Sequence, residues 1–517
     1  RQRQMCIRDR LGYLDITELS QHKSRLKLMN KTPGILLSLT PVLFLVLLLT
    51  INVIVFSDDS SYGPNQIALF CSAMMAALIG VFVLKHDYSE IEKKAVDSIG
   101  VSLHAILILL IVGPLISMWI LCGVVPAMIY YGVDLVNPTF FLPVSVLICS
   151  IVSMATGSSW STVGTIGLAL IGIGQALNIP EGMVAGAIVS GAYFGDKLSP
   201  LSDTTNLAPA MAGTDLFTHI KHMTYTTVPS ITISVILFFI LGFFYQGEGG
   251  DPKDIQQLKL VLSETFNMTP WLFALPLIVF AMVKKKISAL PALFTGILLG
   301  IVFCLIFQGE LLTKLASGEG AFTSTYKVFS KTAFAGFESD TGNKMVDKLL
   351  SRGGMSSMLN TVWLILMAMI FGGMMEVTGM LNSIAMGIIK MVRGVTSLVA
   401  STVGTALFLN LTTSDQYISI VVTGRMFKSS YAKYNLHPKN LSRTVEDGAT
   451  VTSVLIPWNT CGAYFSSVMG VATLSYLPFA FFNLISPLMS IAIAASGKTM
   501  DSVDETEDSK QVEKNRK

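Results

Sequence analysis

The sequence predicts an all-α polytopic membrane protein made of two inverted-topology repeats, each holding a re-entrant hairpin and a broken transmembrane helix. Composition is the first reason: 52% of the 517 residues are hydrophobic and 13% are Asp, Glu, Lys or Arg. The mean hydropathy is +0.62, whereas a soluble domain is about 25% charged. The second is a series of apolar runs, each close to the ~20 residues needed to cross ~30 Å of hydrocarbon. The third is four apolar stretches interrupted by polar clusters, which occur in the same order twice.

Taken in order, residues 1–34 form a basic cytoplasmic segment, of which the first ten, RQRQMCIRDR, read as an artefact outside the fold. Ordinary spans follow near 35–56, 66–84 and 103–129, and the first is expected to persist as a helix rather than be cleaved as a signal peptide. Residues 139–177 are interrupted by ATGSSWST and 182–212 by GDKLSPLSDTTN, and a span near 226–245 closes the first repeat, 35–245. An external linker, 246–270, leads to the second repeat, 271–496. There, spans near 271–283, 287–307 and 359–377 precede stretches broken by LTTSD (396–424) and PWNT (446–473), and a last span lies near 475–495. A charged cytoplasmic tail occupies 497–517. From Gly157 to Pro200 is 43 residues and from Thr413 to Pro457 is 44, which supports an internal duplication.

Orientation comes from Lys and Arg, which accumulate in cytoplasmic connections. With each first broken stretch as a hairpin that returns to its own side and each second as a full span, inside connections carry 27 of these residues and outside ones 8. Six of the eight fall in the long 308–358 connection, and long loops are largely exempt from the bias. The hairpins then enter from opposite faces, both termini are cytoplasmic, and the halves are inverted repeats. A bacterial inner membrane is the expected location and a homodimer the expected assembly; nucleic-acid binding gets no support.

Irregular backbone at membrane depth is tolerated only where it is buried in protein or lines a wet cavity, so four breaks point to one central site. The richest is Gly195–Pro209. It offers Asp196, Lys197, Ser199, Ser202, Asp203, Thr204, Thr205 and Asn206, between prolines that interrupt helical hydrogen bonding. The preceding GMVAG (182–186) and GAYFG (191–195) are faces for close helix packing. The hairpin tips supply Thr156, Ser158 and Ser159, then Thr412, Thr413, Ser414 and Asp415. Such residues serve equally as helix caps. In the last break Asn459 and Thr460 are neutral ligand candidates and Trp458 a shield. Glu376 and Asp447 are candidate proton relays, with Glu446 beside Asp447, and interfacial placement is the alternative for all three. Na+ is placed at Asp203, Thr204 and Asn206. Asp196 is a partner of Lys197 or a second titrating group. His104 reads as a buried, satisfied histidine, and His219 and His222 as a pair at the edge of a loop. The six cysteines are scattered without metal spacing, and no cofactor is expected beyond Na+ and H+ as transported ions.

FGDKLSPLSDTTNLAPAMAGTDLFTHIKHM (194–223) and SRTVEDGATVTSVLIPWNTCGAYF (442–465) resemble the NhaC family of bacterial Na+/H+ antiporters, and the resemblance extends over the chain after about residue 30. It implies exchange of cytoplasmic Na+ for external protons, or, as in some relatives, exchange of organic acids such as malate and lactate coupled to these ions. The motif matches at Asp196, Ser199, Asp203, Thr204, Thr205 and Asn206. No GxxxxGK[ST] is present, which removes primary pumps. An intramembrane aspartyl hydrolase would leave the duplicated breaks without purpose, so the chain is not expected to be an enzyme. A channel needs no titratable ligands in a closed site. The absence of a dense Arg cluster in the spans favours simple cation exchange.

Overall fold

The computed structural model describes residues 33–56, 60, 62–135, 137–244, 252–285, 287–316 and 321–503. The expected N-terminal segment to residue 32 and the tail beyond 503 lie outside the described residues. Within them, the regular structure is helical. Eight helices are long and apolar enough to cross a membrane, or ten if each of two bent pairs is one span. The chain is a multi-pass membrane protein.

The first helices are α1 (Ile35–Phe56), α2 (Pro64–Leu78, running on through a wide turn, Ile79–Val83) and α3 (Tyr88–Leu121). Large apolar side chains on α1 stay exposed, Leu36 at 83% and Ile54 at 75%, as a lipid-facing surface requires. The expected span 103–129 is revised in two ways. At its start, α3 takes in most of the 85–100 connection, capped by Asp87, whose carboxylate accepts from the Ser89 N–H at 3.0 Å. At its end, Gly123 adopts φ +85° and stops the helix, so that α4 (Val124–Leu135) is separate. Helix Pro252–Thr265 occupies much of the expected 246–270 linker and Ala274–Lys284 falls on the span expected near 271–283; the former meets residues 270–282 at 88°. The 308–358 connection carries three helices, Gly309–Leu315, Ala321–Ala335 and Lys344–Leu350.

The four breaks organise the rest. In the first half, α5 (Pro138–Thr156) stops at Gly157, and α6 starts at Ser159, running as Ser159–Thr162, a wide turn Val163–Gly167 and Leu168–Ala176. Then α7 (Glu181–Leu198), a four-residue break, α8 (Asp203–Ala212) and α9 (Leu216–Phe244) follow. After α10 (Ala289–Phe307) and α11 (Met355–Val377), the second half repeats the pattern. There, α12 (Val395–Thr413) and α13 (Gln416–Lys433) flank one break. The other lies between α14 (Pro438–Val445, a wide turn Glu446–Thr450 and Val451–Ser453) and α15 (Thr460–Met469), and α16 (Phe481–Ser496) closes the half.

Landmarks of the two halves coincide at a single offset of 257 residues. Left-handed Gly157, Asn178 and Gly213 (φ +69°, +55° and +93°) answer to left-handed Ser414, Asn435 and Gly470 (φ +58°, +54° and +67°), by 414 − 157, 435 − 178 and 470 − 213. The N-caps Ser158 and Ser202 answer to Asp415 and Asn459, by 415 − 158 and 459 − 202. Helix ends are set by local capping chemistry, and in the two halves they share one register over both breaks.

Glycines in α7 set its packing. A Cβ on Gly191 would lie 2.3 Å from the Val146 carbonyl oxygen, and one on Gly195 2.3 Å from that of Ser150, so α7 lies directly on α5. Gly182 and Gly186 make equally close approaches to Ser475 and Phe479. Both small-residue faces expected from the sequence are used, and they carry Asp196 to the first break.

Candidate functional site

At the C-terminal end of α7, Asp196 is buried and its Oδ2 accepts from the Ser159 N–H (3.1 Å) and Ser159 hydroxyl (2.7 Å). The break between α5 and α6 thus presents a helix N-terminus to a carboxylate, the favourable sense of the helix dipole. In the second half the equivalent positions also meet: the Ser453 hydroxyl lies 3.4 Å from Gln416 Oε1. The same pair of positions meets through a charged side chain in one half and through neutral side chains in the other.

Lys197 is fully buried, and its ammonium pairs with Asp447 from α14 in the opposite half. It also lies 3.2 Å from the Ser486 hydroxyl and 5.8 Å from the centre of the Phe482 ring. Asp447 accepts from Ser486 (2.6 Å) and Ser490 (2.8 Å), which lie four residues apart on one face of α16. The partner expected for Lys197, Asp196, is therefore corrected to Asp447. The chain supplies acid and base 250 residues apart, and only the packing of α7, α14 and α16 joins them.

The trio expected to hold Na+ is separated. Asp203 and Asn206 are exposed, while Thr204 is buried with its hydroxyl 3.1 Å from Ser202 Oγ. The reason is helical periodicity: Ser202 caps α8, so 203, 204 and 206 fall within its first turn and a half and Thr204 faces inward. The Asn206 amide donates back to Pro200 O (3.0 Å) and Ser202 O (2.7 Å). Thr205 ties the break together by donating to the carbonyls of Asp196 (3.3 Å) and Lys197 (3.1 Å). Ser199 Oγ accepts from the Leu201 N–H.

Among the tip hydroxyls Ser158 is a cap, its Oγ accepting from the Ser161 N–H, whereas Thr156 and Thr413 donate to nearby carbonyls and Thr412 donates to Phe408 O. Asp415 is buried and caps α13 through the Ile418 N–H at 3.0 Å. Ser414 has a buried, unpartnered hydroxyl on left-handed backbone. In the last break, Asn459 Oδ1 accepts from the Cys461 N–H and its amide donates to Asn410 O (3.2 Å). The Thr460 N–H donates to Ser414 O (2.8 Å), and Trp458 donates to Leu411 O (2.9 Å). Trp160 beside the first tip stacks on Tyr464 of the other half at 4.1 Å.

Glu376 is partly exposed and pairs with Lys94 at 3.0 Å, away from this cluster. His104 is exposed on α3, which replaces the buried reading. His219 and His222 are buried within α9 rather than at a loop edge, against Ser442 (2.8 Å) and Asn440 (3.2 Å). Sequence reasoning missed Ser486 and Ser490, whose i, i+4 spacing on an apolar helix was the available signal. It also missed Arg443, which is buried and donates to the Thr499 hydroxyl at 3.1 Å. A cavity of about 350 Å³ is lined by Thr156, Ser161 and Thr165, and one of about 1120 Å³ reaches the second half's break at Pro457 and Trp458.

Residues 191–498 match the Na+/H+ antiporter family. The chain is 38% identical to the Na(+)/H(+) antiporter NhaC of Alkalihalophilus pseudofirmus, over 84% of this chain and 90% of that protein. It is 37% identical to the malate-2H(+)/Na(+)-lactate antiporter of Bacillus subtilis, over 88% and 94%. To the arginine/ornithine antiporter ArcD of Halobacterium salinarum it is 33% identical, over 91% and 94%. With breaks, buried charges and relatives in agreement, the chain belongs to the Na+/H+ antiporter family.

Proposed function

We propose that this protein exchanges cytoplasmic Na+ for external H+ across a bacterial inner membrane, by alternating access about two inverted repeats with both termini cytoplasmic. The observation that carries the reading is the buried charge at the meeting of the two halves. Lys197 of one half is paired with Asp447 of the other, and Asp196 is held on a hairpin tip. Ionisable groups at membrane depth are costly and mark ion pathways. A pair that spans the interface between halves also senses their relative position. The constant 257-residue offset supports two equivalent units, and the Lys/Arg distribution supports their opposite orientation.

Relatives of this chain carry names for Na+/H+ exchange, for malate and lactate, and for arginine and ornithine, so cargo rests on the site. Lys197 is engaged by Asp447, which leaves its charge already matched and favours simple cation exchange over binding of a substrate carboxylate there; Arg443 is held by the Thr499 hydroxyl and keeps an unpartnered Nε. The test is a Na+ gradient imposed on vesicles containing the purified protein, with internal pH recorded with and without malate or lactate. Na+-driven alkalinisation or acidification without an organic acid is expected; a strict requirement for one would refute the reading.

A further inference from the structure

Four carboxylates are buried among the described residues: Asp196, Asp415, Glu446 and Asp447. Asp196 accepts two hydrogen bonds from Ser159, Asp415 caps a helix, and Asp447 is satisfied by Lys197, Ser486 and Ser490. Glu446 differs, because neither of its oxygens has a hydrogen-bond partner. An ionised carboxylate left alone in a dry interior is strongly unfavourable, so this group must hold either a proton or a cation.

Its surroundings suit both. Thr450 lies one turn further along α14, on the same helix face, and its hydroxyl is also buried and unpartnered. The Thr204 hydroxyl, from the first half's break, lies beside the same carboxylate. One carboxylate and two hydroxyls from two halves are hard oxygen donors of the kind Na+ takes, whereas Lys and Arg offer no lone pair.

The charged neighbours leave Glu446 as the unmatched group. Lys197 and Asp196 act on it from α7, and Lys197 is already neutralised by Asp447. On α8 Asp203 is exposed; on α13 Arg425, Lys428 and Lys433 are exposed, Tyr417 lies by Asp203 and Asp415, and Tyr431 lies by Arg443. Lys439 of α14 pairs with Asp501, Arg443 is drawn to Asp447, and α12 and α16 bring no titratable residue.

We propose that Glu446 carries the exchanged proton, and that its carboxylate, with the Thr204 and Thr450 hydroxyl oxygens, holds Na+ once that proton has left. One positive charge replaces another, so the charge of the buried cluster is the same in both states. The proposal rests on the Na+/H+ exchange reading and assigns its coupling residue, which was not among the ligands expected from the sequence.

The experiment measures proton release from detergent-solubilised full-length protein in weak buffer on addition of NaCl, with choline chloride as control, together with equilibrium 22Na+ binding across pH. Wild type is expected to release protons, with apparent Na+ affinity weakening about tenfold per pH unit on the acid side of the coupling group's titration. Glu446→Gln is expected to lose the release and the pH dependence of any residual binding, and Glu446→Asp to retain both. Thr450→Val is expected to keep the release while raising the half-saturating Na+ concentration several-fold. Glu446→Gln that releases protons with the wild-type Na+ dependence overturns the assignment. Should that variant not fold, Thr450→Val with unchanged half-saturation overturns it instead. Failure of wild type to release protons on adding Na+ sinks the exchange reading itself, and is seen before any variant is made.

Discussion

Replacing Lys197 by methionine keeps the aliphatic stem of the side chain but deletes its charge, leaving Asp447 buried without its cation. Removing one partner of a buried ion pair costs about 3–5 kcal/mol, because the remaining charge is uncompensated. Here Asp447 keeps hydroxyl donors at 2.6 and 2.8 Å, and hydrogen bonds to charged groups contribute about 1.5–3 kcal/mol each. The expected loss is therefore at the low end, about 3 kcal/mol, or roughly a hundredfold in the folded-to-unfolded ratio. Adding Asp447→Asn removes the stranded charge while keeping an acceptor for both serines. The double variant should return to within about 1 kcal/mol of wild type, since replacing both members of a buried pair is often near neutral. Cys122, Cys149, Cys304 and Cys461 are buried, so a maleimide dye that fluoresces on reaction reports unfolding directly, in a background without Cys6 and exposed Cys71. A Lys197→Met protein as stable as wild type, or a double variant no better than the single ones, would show that the pair does not hold the halves together.

The hairpin tips should be reached from opposite faces, as inverted repeats demand. Ser158→Cys and Ser414→Cys, in a background without Cys6 and Cys71, should react with an impermeant thiol reagent from different sides, and labelling of both from one side contradicts the orientation. Asp196→Asn should weaken Na+ binding more than Asp203→Asn. A buried charge acts through an effective dielectric of about 20 against about 80 in water, so its removal changes the energy roughly fourfold more at equal distance; the reverse order in 22Na+ titrations would return the site to Asp203. Gly195→Ala drives a methyl to within 2.3 Å of the Ser150 carbonyl oxygen, and should cost about 1–3 kcal/mol of overpacking and part Asp196 from Ser159. Gly404→Ala, with nothing within 4 Å, is the control, and equal thermal stability of the two variants refutes the close α5–α7 contact.

The sequence by itself determined that the chain is helical and crosses a membrane, where it breaks, and to which family it is similar. Hydrophobic run length and helix-stop residues act locally, so Gly157, Ser202, Ser414 and Asn459 mark the breaks without knowledge of the fold. Run length alone misplaced the end of the third span, because the left-handed turn at Gly123 lies inside an unbroken apolar stretch. Tertiary structure decided which polar groups share a site. Asp203 and Asp196 sit in one motif, yet the first turn of α8 exposes one while the glycine contacts of α7 bury the other. Lys197 lies beside Asp196 in the chain but meets Asp447, and Asp447 differs from Glu446 by one residue yet takes every partner. Adjacent residues on a helix point about 100° apart, so which of two neighbouring carboxylates faces lysine and serine, and which faces none, depends on how the helices of the two halves pack.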